Sequence, residues 1–211
     1  MARKRKTLKS DMGWSNETSI TVQGLDLSRD ILGKLNLGDF AFLEIKGRQP
    51  TPNESIVFNA MLATLVEHGM TPMVIAARLT YLGAPESLQG AVAAGILGMG
   101  TTFAGTAEGS PRLFQLAEES GLSGLYVELM KLVALAAERA FNKPGQLPVN
   151  ATGAIGALSS ELQIPWKLCR GLAVIGRTIG IVGHLAEELR NPIAREVWER
   201  TEEESSEHNR T

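Results

Sequence analysis

Helix start signals recur along this chain and limit its fold class. Thr51, Pro52 and Glu54 occupy the N-cap, N1 and N3 positions of a capping box, and Thr71-Pro72 repeats the cap and the proline. Apolar residues then return with the helical period, and no alternating run long enough for a sheet follows Gly47. The sequence therefore predicts an all-α protein.

Seven helices are expected after Gly47, preceded by a short extended piece at 19–22 and a short helix at 39–46. Cap residues or prolines mark most of their starts, and glycine or Asn-Pro marks several of their ends. The predicted helices extend from Thr51 to Gly69, from Pro72 to Gly83, from Pro85, from Pro111, from Leu122 to Phe141, from Gly153 to Leu162, and from Pro165 to Arg190.

The length of 211 residues suits one domain, which we place at 12–198. A basic run opens the chain and glutamates close it, so we expect a flexible basic tail at 1–11 and an acidic tail at 199–211. No apolar segment follows the basic run, and the start of the chain therefore does not resemble a secretory signal.

Charge and cysteine content argue against several partners. The 21 basic and 23 acidic residues leave a net charge of −2, which provides no positive field for nucleic acid. One cysteine, Cys169, cannot form an internal disulfide, and with three histidines no zinc-type cluster is expected, which fits the cytoplasm. The apolar stretch 168–185 carries Arg170, Arg177 and His184, which are costly in lipid, so we expect a buried helix and no membrane partner.

Four segments occur in an order and spacing typical of one enzyme group. They are Glu67-His-Gly-Met-Thr-Pro72, 91–108 with Gly95-Ile-Leu-Gly-Met-Gly-Thr-Thr-Phe103 inside it, Val149-Asn-Ala-Thr-Gly-Ala-Ile-Gly156, and Val174-Ile-Gly-Arg-Thr-Ile-Gly-Ile-Val-Gly-His184. Together they resemble the citrate synthase superfamily, and most closely the citryl-CoA lyase module of ATP-citrate lyase. The resemblance spans about residues 12 to 198 and implies a citrate-synthase-like helical domain.

The resemblance also implies an activity and partners. Members of the superfamily make or cleave the carbon-carbon bond between a short acyl-CoA and a keto acid, such as acetyl-CoA and oxaloacetate from citryl-CoA. A coenzyme A thioester would then be a substrate, with no permanently bound cofactor, and the chain would form a homodimer. Candidate dimer contacts are the helix from Pro165 and the small residues Gly90, Ala94 and Gly98, which recur every four residues.

Three side chains match positions of the family's active site. His68 matches the histidine that hydrogen-bonds the thioester carbonyl, and Arg177 matches an arginine that binds an oxaloacetate carboxylate in bidentate fashion. His184 follows Arg177 by seven residues, shares its helix face, and would bind substrate or pack in the core. The alternatives are a helix-dipole partner for His68 and a salt-bridged arginine for Arg177.

A glycine-rich segment matches a turn that carries a second active-site histidine in citrate synthases. Phe103 takes the place of that histidine, as in the lyase modules, which favours the lyase branch. Such a turn would present backbone N–H groups to coenzyme A, and the alternative is an ordinary loop between helices. The candidate coenzyme A contacts are Gly100, Thr101, Thr102, Phe103 and Gly105.

Two departures from the family's pattern concern catalysis. The family's acid-base aspartate lies in Asn-Val-Asp-Gly, and here Asn150-Ala-Thr-Gly153 puts Thr152 in its place. A threonine hydroxyl is no base near neutral pH, although Thr152 and Asn150 can hydrogen-bond a substrate. The family's Gly-His-Arg segment is missing, which leaves 115–145 as the remnant of a reduced small domain. Alternative carboxylates near that remnant are Glu118, Glu119, Glu128 and Glu138.

Three functions follow from these matches and departures. The first is a citryl-CoA lyase-like or citrate synthase-like enzyme, a lyase or transferase whose base is a substrate carboxylate, a water held by Thr152, or a glutamate. The second is a catalytically impaired relative that acts as a binding or partner module. The third is a related reaction on a smaller hydroxyacyl-CoA.

Overall fold

The computed structural model describes residues 7–119 and 125–209, with the backbone alone at 117–119. Backbone contacts divide the chain into two compact units, the first ending at Ala60 and the second beginning at Met61. This boundary lies within the single domain expected at 12–198. Residues 7–11 of the expected basic tail are exposed.

A small antiparallel sheet opens the first unit. Its strands, in the order β1-β2-β3, are β1 (Gly13–Ser15), β2 (Ile20–Val22) and β3 (Leu25–Asp26). Gln23 and Gly24 join β2 to β3, and their left-handed backbones, with φ of 50° and 81°, suit a two-residue hairpin turn. The extended piece predicted at 19–22 is confirmed as β2, and it precedes the helical part of the chain.

One turn of π-helix at Leu27–Ile31 leads into helix α1 (Leu37–Lys46), which confirms the short helix predicted at 39–46. The side chain of Asn36 accepts the N–H of Asp39 at 2.8 Å and caps this helix. Gly47 ends it with a left-handed backbone, φ of 68°.

The predicted capping box at the start of helix α2 (Pro52–Val66) is confirmed. The Thr51 hydroxyl accepts the N–H of Glu54 at 3.3 Å, and the Glu54 carboxylate accepts the N–H of Thr51 at 2.8 Å. Arg48 donates to the same carboxylate at 2.6 Å, and this bond is the main reason that the pKa of Glu54 falls to about 2. Local sequence therefore fixes where α2 begins.

Helices make up most of the second unit, and the predicted all-α class is confirmed. They are α3 (Pro72–Gly83), α4 (Leu88–Leu97), α5 (Thr101–Glu119), α6 (Tyr126–Ala140), α7 (Ala151–Glu161), α8 (Trp166–Arg190) and α9 (Ala194–Ser206), followed by a 3-10 turn at Glu207–Asn209. The long helix α8 contacts α3, α4, α5 and α7. One part of the core brings Ile181 and Leu185 of α8 against Ala77 and Ala91.

Helix α8 is long and apolar enough to cross a membrane, and α4 with the first part of α5 passes the same test as a bent pair. Packing accounts for one side of α8, which buries Leu172, Ile181 and Leu185 almost completely, while other apolar side chains such as Ile179 are exposed. Its start is tied to α5 by Gln115, which donates to the carbonyl of Ile164 at 2.9 Å and accepts the N–H of Trp166 at 3.0 Å. We therefore describe α8 as a core helix of the second unit.

The prediction that Ser110-Pro111 opens a helix is wrong, because α5 is continuous from Thr101 to Glu119 with Pro111 inside it. Proline removes one backbone hydrogen bond from a helix interior, but here the segment is packed tightly. A Cβ placed on Gly156 of α7 would lie 2.6 Å from the Cβ of Ser110 and 3.0 Å from the Pro111 nitrogen. Close packing against α7 therefore outweighs the local start signal.

Other boundaries shift by a few residues. The helix expected from Pro85 begins at Leu88, and the one expected from Gly153 begins at Ala151. The predicted start at Leu122 lies outside the described residues, and α6 is observed from Tyr126. The described part of the acidic tail is helical from 199 to 206, as the exposed last turns of α9.

The small residues of α4 allow a close contact with α3 at Gly95 and, at the end of the helix, at Gly98, where an added Cβ would lie 3.7 Å from the Met73 Cα. A Cβ on Gly95 would lie 2.9 Å from the Met73 carbonyl oxygen of α3 and 2.9 Å from Cδ1 of Ile181 of α8. This contact lies inside the second unit.

Two glycines of α8 let the end of α2 lie directly on its backbone. A Cβ on Gly176 would lie 2.7 Å from the Leu65 Cβ and 3.1 Å from the Leu62 carbonyl oxygen. A Cβ on Gly180 would overlap the Val66 carbonyl oxygen. No larger side chain fits at either position, so these glycines set the distance between α8 and the segment that follows α2.

We predict opposite effects for two glycine-to-alanine substitutions on α8. Gly180→Ala forces the Val66 end of α2 away from α8 and should lower the unfolding free energy by about 1–3 kcal/mol, as overpacking usually does. Gly183→Ala is the matched control, because nothing lies within 4 Å of its added Cβ. The control should gain about 0.5–1 kcal/mol from the higher helix propensity of alanine. Urea unfolding of both variants measures the difference, and equal stabilities would contradict the close contact.

Candidate active site

A tight turn after α2 carries His68. Gly69 has a left-handed backbone with φ of 72°, and the Glu67 carboxylate accepts the N–H of His68 at 2.9 Å and also the N–H of Gly69. Burial raises the pKa of Glu67, but hydrogen bonds from His184, Gly69 and His68 outweigh it and leave the pKa below its ordinary value. The predicted placement of His68 beside a helix end and before a glycine is confirmed.

His68 and Arg177 line one cavity of about 320 Å³. His68 reaches it from the turn after α2 and is exposed, and Arg177 reaches it from α8 and is half-buried. The polar side chains that line it are Thr64, His68, Thr71, Asn150, Thr152 and Arg177. The two side chains that the sequence singled out first therefore share one solvent-reachable hollow.

Two buried polar atoms of residues that line this cavity have no hydrogen-bond partner among the described residues, and each exposes less than 1 Å². They are Nη1 of Arg177 and Oγ1 of Thr71. A buried guanidinium N–H without an acceptor is costly, and a carboxylate is the acceptor that best fits its planar fork. Arg177 also brings a positive charge to the cavity wall, where the described lining residues include no carboxylate, and this suits an anionic ligand.

Thr71 was not recognised from sequence as a site residue, although its position at a helix start was. It stands at the N-cap of α3, yet its side chain makes no capping hydrogen bond. The positive end of a helix dipole favours a negative charge nearby, which adds to the effect of Arg177. The signal that could have found it is its position directly after the His68 turn.

Asn150 and Thr152 also line this cavity. The side-chain oxygen of Asn150 accepts the N–H of Gly153 at 2.8 Å and caps α7, and it also accepts the hydroxyl of Thr152 at 3.0 Å. The Thr152 hydroxyl thus donates its proton to Asn150 within the protein, while the Thr152 hydroxyl oxygen can still accept a hydrogen bond. The described residues that line the cavity include no carboxylate.

The segment from Gly100 to Gly105 is not a glycine-rich turn, and this prediction is wrong. The Gly100 carbonyl accepts the N–H groups of Phe103 and Ala104 at 3.2 and 2.9 Å, which starts α5. Helix geometry then separates the predicted coenzyme A contacts. Phe103 lines the cavity of His68, Thr101 and Gly105 line a neighbouring cavity, and Gly100 and Thr102 line neither.

The neighbouring cavity measures about 900 Å³ and shares Asn150 and Thr152 with the first. Arg112 lines it and lies over the ring of Trp166, 5.1 Å from its centre. Its size falls within the range of about 300–1,000 Å³ that is usual for cofactor and ligand sites. Its apolar walls are formed by Leu113, Phe114, Leu116, Met130 and Val133.

His184 lines neither cavity, and its contact with substrate stays a prediction. It shares the helix face of Arg177 but lies about 10 Å further along the axis, at 1.5 Å per residue. There Nε2 of His184 lies 3.1 Å from Oε1 of Glu67, and Nδ1 lies 3.0 Å from Nη2 of Arg78. The side chain therefore lies beside the His68 turn, between Glu67 and Arg78.

Comparison with known proteins identifies the fold. No protein-family model and no curated protein matches the sequence. Among solved structures, the citryl-CoA lyase of Hydrogenobacter thermophilus matches with a TM-score of 0.80 and 27% identity, over 88% of each chain. The chain has the citryl-CoA lyase fold. This confirms the resemblance stated from the four sequence segments.

A second solved structure extends the comparison. The ATP citrate lyase of Methanothrix soehngenii, in complex with citrate and coenzyme A, matches with a TM-score of 0.66 and 20% identity. The match covers 89% of this chain and 40% of that chain, so the citryl-CoA lyase fold described here spans less than half of that protein.

A buried ion pair within this citryl-CoA lyase fold was not found from sequence. Arg78 of α3 is 1% exposed and donates to Glu188 of α8 at 2.6 Å and also to Glu187. Glu188 in turn accepts the N–H groups of Ile193 at 3.0 Å and Ala194 at 2.8 Å. No local pattern predicts this pair, because its members are 110 residues apart.

Of the carboxylates proposed near the small-domain remnant, those with described side chains do not line the cavity of His68. Glu128 accepts from Lys131 at 2.8 Å, and Glu138 accepts the N–H of Leu147 at 3.2 Å. The side chains of Glu118 and Glu119 lie outside the described residues. Within the described ranges no group of three His, Cys, Asp or Glu side chains could hold a metal ion.

We predict that Glu188 makes stability depend on pH. Burial raises the pKa of Glu188, but hydrogen bonds from Ala194, Arg78 and Ile193 lower it by more. The pKa therefore lies below the ordinary carboxyl value of 4.5. Its ionised form therefore stabilises the fold above about pH 4.5, and this contribution is lost as the pH falls through the folded pKa.

Glu188→Gln should lower the unfolding free energy at pH 7 by about 3 kcal/mol, because it leaves Arg78 without its buried counter-charge. It should also flatten the loss of stability below pH 4.5, the ordinary carboxyl value. Glu199→Gln, in an exposed pair with Arg195, is the control and should change stability by less than about 1 kcal/mol. Urea unfolding from pH 3 to 8 checks this, and an unchanged acid limb in Glu188→Gln would refute it.

Proposed function

We propose that this chain is a citryl-CoA lyase-like enzyme that cleaves or forms the carbon-carbon bond between a short acyl-CoA and a keto acid. The observation that carries the proposal is the shared cavity of His68 and Arg177 within the citryl-CoA lyase fold. The chain would act on citryl-CoA and release acetyl-CoA and oxaloacetate, or catalyse the reverse reaction.

We assign the keto-acid end of the substrate to Arg177 and Thr71. Both residues line the cavity, and the positive charge of the Arg177 guanidinium supports binding of a substrate carboxylate there. Asn150 and Thr152 also line this cavity, where the Thr152 oxygen can accept a hydrogen bond.

We assign the proton transfers to His68. Cleavage requires that the substrate hydroxyl lose its proton, that the adjacent carbon-carbon bond break, and that its electron pair form the thioester enolate. Among the described residues that line the cavity, His68 is the only side chain that acts as a base near neutral pH. It would take the hydroxyl proton and, as imidazolium, return it to the α-carbon of the enolate. Proton and electron pair are then balanced without the family's aspartate.

We place the coenzyme A part of the substrate in the cavity of about 900 Å³ that shares Asn150 and Thr152 with the first. Its apolar walls suit the pantetheine arm, and Thr101 and Gly105 of the predicted coenzyme A segment line it. We also propose a homodimer that works in the cytoplasm, consistent with the single, buried Cys169.

We predict that the purified protein releases oxaloacetate from citryl-CoA. His68→Ala should lower kcat by about 100- to 10,000-fold, the usual effect of losing a general acid-base group. Arg177→Met should raise KM as well as lower kcat, because it removes a carboxylate ligand. Coupling oxaloacetate to NADH oxidation by malate dehydrogenase measures both constants.

Arg195→Met is the matched control for Arg177→Met, because Arg195 is exposed and pairs only with a neighbouring glutamate of α9 among the described residues. It should leave both constants unchanged. A panel that includes smaller hydroxyacyl-CoA thioesters distinguishes the related reaction from citryl-CoA cleavage. Absence of turnover with every thioester would refute the enzyme and favour a binding module.

A further inference from the structure

A line of hydrogen-bonded side chains runs behind the His68 turn. Oε1 of Glu67 lies 3.1 Å from Nε2 of His184, whose Nδ1 lies 3.0 Å from Nη2 of Arg78. Arg78 continues to Glu188 at 2.6 Å, and its other partner is Glu187. None of these side chains lines either cavity, so they have no assigned role in binding substrate.

Arg78 determines which nitrogen of His184 carries the proton. A guanidinium has donors only and stays protonated, so Nδ1 of His184 must accept from Arg78 through its lone pair. The ring proton is then on Nε2, which donates to the Glu67 carboxylate. His184 therefore links a buried cation to an anion with its two nitrogens in fixed, different roles.

The charged groups around His184 are all consistent with this assignment. Glu67 faces Nε2 from the turn after α2, and Arg78 faces Nδ1 from α3. Glu187, on the same helix as His184, lies 3.8 Å from Nδ1 but is itself paired with Arg78. Glu188 neutralises Arg78 from the other side.

The hydrogen bond between His184 and Glu67 affects the backbone that carries His68. Glu67 accepts the N–H groups of His68 and Gly69, so its carboxylate sets the backbone of the turn that directs the His68 side chain. His184 donates a side-chain hydrogen bond to Glu67 from α8. Without it the carboxylate keeps only the two backbone N–H groups of its own turn, and the turn loses this side-chain hydrogen bond to α8.

We propose that His184 is a positioning residue that holds Glu67, and through Glu67 the His68 turn, in the geometry needed for catalysis. The proposal rests on the assignment of His68 as the group that transfers the proton. Misplacing a reacting group by about 1 Å can cost on the order of 100-fold in rate, which sets the scale of the expected effect.

The kinetic test compares three variants. His184→Leu removes both hydrogen bonds and should lower kcat about 10- to 100-fold. KM for citryl-CoA should stay within about twofold, because Arg177 is untouched and uniform binding is retained. His184→Gln keeps an amide donor for Glu67 and should recover most of kcat. His208→Leu, at an exposed histidine of the last turn, is the matched control and should behave as the wild type.

A second measurement does not depend on activity. Two-bond ¹⁵N–¹H NMR spectra distinguish the tautomers of the three histidines, and His208→Leu identifies one of the three signals. We expect wild-type His184 to carry its proton on Nε2. The ring signal of His68 should shift in His184→Leu and stay in place in His208→Leu.

The outcomes separate this proposal from the proposed function. A His184 protonated on Nδ1, or a folded His184→Leu variant with unchanged kcat and an unchanged His68 signal, overturns the positioning role. If the wild type cleaves no thioester, the proposed function fails, while the tautomer and the His68 shift still decide whether His184 holds the turn.

Discussion

The contact between the end of α2 and the glycines of α8 is the constraint on which the candidate site depends. Gly176 and Gly180 leave room for the backbone of Leu65 and Val66, and Arg177 lies between these two glycines in sequence. The same contact that sets the spacing therefore brings the turn after Val66 close to Arg177. A side chain at Gly180 would have to displace the α2 backbone, because a carbonyl oxygen occupies that space.

The residues proposed to act on the substrate and the charged residues that hold them in place lie in different parts of this protein. The cavity is lined by donors and by one imidazole, and the described residues around it supply no carboxylate. The carboxylates lie behind it, where Glu67 holds the His68 turn and Glu188 neutralises Arg78. An anionic substrate thus meets uncompensated donors, while the buried charges that shape the site are already paired. This arrangement allows the loss of the family's aspartate, provided that His68 moves the proton.

Local signals in the sequence predicted much of the fold, whereas contacts between distant segments decided the rest. The capping box at Thr51 and the left-handed Gly69 were predictable because they depend on neighbouring residues. The helix start predicted at Pro111 was wrong because that helix is held by packing against Gly156. The ion pair of Arg78 was not predicted because its partner is 110 residues away. The resemblance located His68 and Arg177, but it could not show that His184 faces Glu67.

The central claim is that His68 and Arg177 bind one substrate together. An NMR titration of oxaloacetate that follows the ring signal of His68 tests it most directly, with the wild type compared with Arg177→Met. The account predicts a saturable shift of the His68 signal that is lost, or moved to much higher concentration, in Arg177→Met. A His68 signal that does not respond, or that saturates at the same concentration without the guanidinium, would contradict it.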